Sequence, residues 1–183
     1  MPELATSNVR KLREFQRFGL QVSMAMGVDL PEVDGSPDDV IIHKALAAGV
    51  DRIVEDTILE VRGEAMVDIR WRLDEVLALD GAPARWITSL GYNNGRSVRV
   101  YRGIVRGHIT ARGPAPSEAF GFDPFFVPEG SDQSLYMLER LGRKDEYSAR
   151  KLACDAMQRD RAVLVRPIAQ IPAWTGAWQA EKV

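Results

Sequence analysis

Arg52-Ile53-Val54-Glu55-Asp56-Thr57-Ile58-Leu59 decides how this chain is read. Ile53, Val54, Ile58 and Leu59 make a strand, and Glu55, Asp56 and Thr57 interrupt it with polar groups. Carboxylates inside an apolar strand are costly unless they face a wet cleft, a cation or basic partners. Two readings are open. The acids lie in solvent on an edge strand, or a central strand presents a carboxylate that holds a hard cation and takes a proton from water.

Working outward, Ser36-Pro37-Asp38-Asp39 predicts the start of a helix that runs to Ala48 and closes at Gly49. Ser36 is the N-cap, Pro37 suits the first turn, and the two acids favour the positive helix end. Further upstream the pattern predicts a strand at residues 3–5 and a helix capped by Ser7 or Asn8 to about Phe18. Leu12, Phe15 and Phe18 share one face of that helix, and a strand follows at 21–25. Downstream come a helix over 67–78 and a hairpin of 86–92 with 96–105 across Asn93-Asn94-Gly95. A strand over 107–111 and helices over 133–141 and 147–158 complete the order. The tail after Arg166, with Trp174 and Trp178, shows no pattern. This succession predicts an α/β or α+β domain with a mixed sheet.

A chain of 183 residues suffices for one domain with a substantial core, or for two closely packed lobes. Lysine and arginine total 24 against 26 acids, a formal charge of −2, so a nucleotide site must concentrate positive charge locally. A nucleic-acid binder would carry a basic balance. Cys154 is the sole cysteine, which excludes an intrachain disulfide and a multi-thiolate zinc site and fits a reducing compartment. His43 and His108, the only histidines, are far apart in sequence and argue against a multi-histidine metal site. No apolar run approaches the roughly 20 residues of a membrane span. The N-terminus lacks the regions of a secretory signal. The composition is that of a soluble cytoplasmic protein.

Four further clusters carry chemistry. Thr6-Ser7-Asn8-Val9-Arg10-Lys11 lies where a strand turns into a helix, so exposed amides and the Lys11 ammonium suit phosphate, although the GxxxxGK[ST] loop is absent. Glu32, on a loop, is a second candidate cation carboxylate, and Lys44 lies one to two turns into the next helix. Phe120-Gly121-Phe122-Asp123-Pro124-Phe125-Phe126 reads as a glycine-opened turn whose aromatic faces can stack a base. Lys144, Ser148 and Arg150 add cations and a hydroxyl. Each cluster also has an ordinary reading: an N-cap, a solvated acid, a surface lysine, a core segment, a solvated helix start.

Taken in order, these clusters resemble the inosine triphosphate pyrophosphatase family, also called the Ham1-like family. T-G-N-x-x-K looks like Thr6 to Lys11, with Glu14-Phe15 continuing the match. D-L-P-E-x-x-G-x-P-D-E looks like Asp29 to Asp39, and V-E-D-T-x-L looks like Val54 to Leu59. I-K-W resembles Ile69-Arg70-Trp71, F-G-W-D-P resembles Phe120 to Pro124, and K-x-x-x-S-H-R resembles Lys144 to Arg150. The resemblance covers roughly residues 4–158.

The resemblance implies a single elongated, two-lobed α/β domain over residues 1–183, with a long mixed sheet flanked by helices and a central nucleotide cleft. It implies Mg²⁺-dependent hydrolysis of deaminated purine nucleoside triphosphates to monophosphate and pyrophosphate, in a homodimer. By position, Glu32 and Asp56 are metal carboxylates, and Asp56 activates the water. Thr6, Ser7, Asn8, Lys11, Lys44 and Thr57 hold phosphates. Phe120, Phe122, Asp123, Lys144, Ser148 and Arg150 frame the base, and Glu55 and Arg70 are further candidates. The departures are Ala149 for the family histidine, Ser7 for its glycine, Arg70 for its lysine, and Gly63-Glu64-Ala65-Met66-Val67-Asp68 for its G-G-x-P-G turn. They open two alternatives: a nucleotide-binding module without turnover, and a pyrophosphatase with shifted base preference.

Overall fold

The computed structural model describes residues 1–25, 30–66, 72–112 and 121–179. Its strands are β1 (Glu3–Ala5), β2 (Ser23–Ala25), β3 (Arg52–Val61), β4 (Glu64–Met66), β5 (Pro83–Asn93), β6 (Ser97–Ile109), β7 (Phe126–Pro128) and β8 (Leu164–Pro167). Its helices are α1 (Val9–Arg17), α2 (Pro37–Ala48), α3 (Leu73–Leu77), α4 (Leu135–Arg140) and α5 (Ala149–Gln158). The strand order is β2-β1-β3-β5-β6-β7, with β4 on β3 and β8 on β6. β1 pairs in parallel with both β2 and β3, whereas β4, β7 and β8 pair antiparallel. The sheet is therefore mixed and the class α/β.

The chain divides into two compact units. The first comprises Met1–Asp56, Ser89–Arg102 and Arg150–Val183, and the second Thr57–Thr88 and Gly103–Ala149. In the first unit, local chemistry sets the helix starts. Asn8 Oδ1 accepts from the amides of Arg10 at 2.9 Å and Lys11 at 3.4 Å. Ser36 and Asp39 form a reciprocal capping box, each side chain accepting from the other's amide at 3.2 Å. Such a cap contributes about 1 kcal/mol. Phe15 and Phe18 of the predicted apolar face bury with Leu4, Ile53, Leu90, Ala153 and Cys154, while Ile41, Ala45, Val54, Val98 and Val100 form a second cluster.

In the second unit the core is Leu59, Val76, Trp86, Ile109, Phe122, Phe125, Phe126, Leu135 and Leu138 with their neighbours. Gly121 adopts φ +55°, the left-handed conformation that opens the turn at Asp123–Phe125.

Several boundaries differ from the sequence reading. The strand expected at 107–111 is the end of the 13-residue β6. Three-residue β4 and β7 have too little length for alternation to show. Of the helix expected over 67–78, the structure has Leu73–Leu77, and 67–71 lie outside the described residues. In the tail, β8 pairs with the start of β6.

Candidate active site

In the first unit Thr6, Ser7, Lys11, Glu32 and Lys44 of the predicted phosphate and cation residues line one cavity, whereas Asn8 and Asp56 are not in its lining. It has about 180 Å³ and is lined by Leu4, Ala5, Thr6, Ser7, Lys11, Phe15, Leu30, Glu32, Lys44 and Glu55. The end of β1 brings Thr6 and Ser7, α1 brings Lys11, the loop before α2 brings Glu32, α2 brings Lys44, and β3 brings Glu55. Each lysine already holds a carboxylate. Lys11 Nζ lies 2.6 Å from Glu55 Oε2, and Lys44 Nζ lies 2.5 Å from Glu32 Oε1.

Asp56 follows Glu55 on β3, at the boundary of the unit. Burial raises its pKa above the ordinary carboxylate range. Lys44 and Lys11 oppose that shift, and Glu32 and Glu55 add to it. The carboxyl is thus poised to hold or take a proton, and a cation beside it would favour its charged form.

Asn8 is the N-cap of α1, one of the two residues expected there. Thr6 Oγ1 accepts from the Asn8 amide at 3.1 Å, and Asn8 Oδ1 closes the Arg10 and Lys11 amides. The Asn8, Arg10 and Lys11 amides are therefore engaged within the cap. Lys11 and Lys44 remain as mobile cations in the cavity wall.

Arg150 lies in the first unit. Its guanidinium donates to Glu55 Oε1 at 2.7 and 3.1 Å, pairs with Glu14, and lies 5.7 Å from the centre of the Phe15 ring. Its side chain is 7% exposed. Burial alone would lower its pKa, but Glu55 and Glu14 raise it well above its usual value, so it stays charged. Glu14 was quoted in the sequence only as part of a motif. Its role emerges from a contact 136 residues distant, which no local pattern signals.

Lys44, Glu32, Glu55 and Lys11 act on Asp56, and Arg150 with Glu14 joins the set through Glu55, which makes three cations against four carboxyl groups. A polyphosphate entering this set would add negative charge to a cluster already short of positive charge, so a divalent cation suits it electrostatically. Among the described residues no group of three or more His, Cys, Asp or Glu side chains is placed to hold a metal alone. Glu32 and Asp56 could offer two carboxylates to a cation whose shell substrate phosphates would complete.

In the second unit the residues assigned to the base sort differently. Phe122 packs edge to face with Trp86 at 6.0 Å and with Phe126 at 6.1 Å, and is 8% exposed. For Phe122, Phe125 and Phe126 the core reading holds. Asp123 is buried and pairs with Lys144 Nζ at 2.5 Å, and Lys144 also reaches Glu139 at 3.3 Å. Ser148 is buried, and Ala149, at the family's histidine position, is fully so. Thr57 Oγ1 lies 3.1 Å from Thr88 Oγ1. Among the described residues the indole Nε1 of buried Trp86 has no hydrogen-bond partner, a feature the sequence did not signal. Phe120 and Arg70 lie outside the described residues.

A mixed-sheet α/β fold with lysines and carboxylates meeting in one pocket defines the class. The Ham1 family profile matches residues 3–160, and the chain belongs to the Ham1 family. It is 31% identical over 150 residues to an inosine triphosphate pyrophosphatase of Candida albicans, covering 72% of both chains. It is 31% identical over 132 residues to one of Scheffersomyces stipitis, covering 62% of this chain and 66% of that protein. A HAM1 protein structure from Coxiella burnetii superposes with a TM-score of 0.65 at 20% identity, over 88% of this chain and 98% of that one. At that identity the likeness speaks for the fold. No helix among the described residues is long and apolar enough to cross a membrane.

Proposed function

We propose that the chain is a nucleoside triphosphate pyrophosphohydrolase acting on deaminated purine nucleotides, with Mg²⁺ as the cation, as a cytoplasmic homodimer that clears damaged nucleotides. The observation that carries this is the convergence of Lys11, Lys44, Glu32, Glu55 and Asp56, with burial holding the Asp56 pKa up. Family membership and the named relatives support the reaction class. The intact acid and lysine set favours turnover over an inactive binding module.

Lys11 and Lys44 meet the phosphates by exchanging Glu55 and Glu32 for phosphate oxygens, aided by Ser7, Thr6, Asn8 and Thr57. Glu32 and Asp56 hold the cation, which neutralises phosphate charge when bound. Asp56 orients a water and takes its proton as the oxygen bonds to the α-phosphorus. The bond from that phosphorus to the bridging oxygen breaks, and pyrophosphate leaves with the electron pair. Arg150 holds Glu55 in place for Lys11. On the motif match, Phe120 and the Asp123, Lys144 and Ser148 group frame the base, while Phe122 packs against Trp86 and Phe126. Ala149 supplies no polar group, so base preference rests on fewer donors than the family motif provides.

Pyrophosphate release from dITP, XTP and the ordinary triphosphates, with and without Mg²⁺, tests the reading. Asp56→Asn should lower turnover at least about a hundredfold while nucleotide binding survives. Unchanged turnover in that variant overturns the role of Asp56.

A further inference from the structure

The family match ends at residue 160, and the chain continues. After β8 and a 3-10 turn at Ile168–Gln170, the tail reaches the loop that carries Glu32. It joins that loop by main-chain bonds. Asp34 N donates to Ala177 O at 2.9 Å, and Gln179 N donates to the carbonyl of Glu32 itself at 2.9 Å. Val33 and Trp178 form an antiparallel bridge between these bonds, and Gln179 Nε2 donates to Val33 O at 3.1 Å.

Trp174 secures the other side. Its Nε1 donates to Ala177 O at 2.8 Å, and its ring meets His43 edge to face at 5.3 Å. A Cβ added at Gly35 would lie 2.7 Å from Trp174 Cη2, so the glycine permits the ring's close approach. His43 is the residue before Lys44 on α2, and Val33 the residue after Glu32. The tail thus touches the sequence neighbours of both members of the Glu32–Lys44 pair.

We propose that residues 174–179 act as a strap that positions the Glu32–Lys44 pair, with Trp174 and Gln179 as positioning residues. A loop carboxylate left unanchored would sample many placements, and each binding event would have to order it. The main-chain ladder fixes Glu32 at its carbonyl beforehand, and the indole fixes the loop against α2. The consequence for catalysis rests on the function proposed above. The anchoring itself does not.

The test uses full-length Trp174→Ala, Trp174→Phe and Gly35→Ala. Hydrogen exchange at the Asp34 amide should quicken in Trp174→Ala and Gly35→Ala. KM for dITP and the Mg²⁺ concentration for half-maximal activity should rise about tenfold in both, with kcat within about twofold. Trp174→Phe should recover most of the loss, and the double variant should lose less than the product of the single effects. Unchanged Asp34 exchange overturns the strap. So does a loss confined to melting temperature and kcat with KM and cation dependence untouched, which would be ordinary stabilisation. Should the wild-type chain hydrolyse no triphosphate, the function reading falls, and the exchange experiment still decides the anchoring.

Discussion

Two regions were candidates for ligand contact, and the fold treats them in opposite ways. Around Asp56 the first unit assembles ionic groups whose charges do not balance, with Lys11 and Lys44 at a cavity wall. Around Phe122 the second unit closes aromatic rings on one another and pins the turn with the buried Asp123–Lys144 pair. One region has electrostatic demand left for a ligand. The other has most of its contacts satisfied internally, and its stability comes from packing.

The largest effects should come from removing the anchor of each region. Arg150→Ala leaves Glu14 and Glu55 without their shared cation and should cost about 3–5 kcal/mol at neutral pH. Phe126→Ala empties a fully buried site and should cost about the same. Denaturant unfolding at two pH values separates them. The Arg150→Ala loss should shrink in acid, where the stranded carboxylates protonate, and the Phe126→Ala loss should not. Equal pH dependence would dissolve the contrast between the regions.

Next in size is Lys11→Met, which should lower kcat/KM about a hundredfold by withdrawing one phosphate-facing charge. The same assay on Lys144→Met should show a change that depends on the base offered, because its partners lie in the aromatic turn.

Smaller is the pH effect at Asp56. Its raised pKa means the folded chain binds that proton more tightly than the unfolded chain. This favourable contribution is complete below the unfolded carboxylate range and is lost as pH rises through the folded value. Asp56→Asn should therefore raise the melting temperature of the ligand-free protein at neutral pH, and the gain should vanish in acid. In the wild type, activity should rise with pH as Asp56 ionises, and the bound cation, by favouring the charged form, should move that rise to lower pH than in the ligand-free protein. Smallest is Trp86→Phe. The indole N–H makes no hydrogen bond among the described residues, so the variant should cost only a packing change, within about 1.5 kcal/mol.

What the sequence made legible was local. Asn8 and Ser36 announce helix starts because their side chains reach amides two or three residues on. The hairpin is readable because Asn93 Oδ1 accepts from Gly95 N, and Asn94 Oδ1 from Arg96 N and Ser97 N. The cavity residues were found through their order along the chain. The Glu14–Arg150–Glu55 chain was not, since its members join across the fold, and charge type alone does not say which acid a buried arginine will take. The burial of Phe122, Phe125 and Phe126 was not legible because a glycine and a proline shape a buried turn as readily as an exposed one. The tail escaped because a strap held by main-chain bonds leaves no side-chain periodicity.

Cys154 lies in the interior of the first unit, fully buried, on the helix that also carries Arg150. Burial pushes its thiol up to about 12. At neutral pH the nucleophilic form is scarce and screened by packing, so peroxide and alkylating reagents should leave the native protein alone. The molecule's sole sulfhydryl is thereby a built-in stopwatch: the pace at which a thiol reagent labels it reports how often the interior around α1 and α5 breathes open.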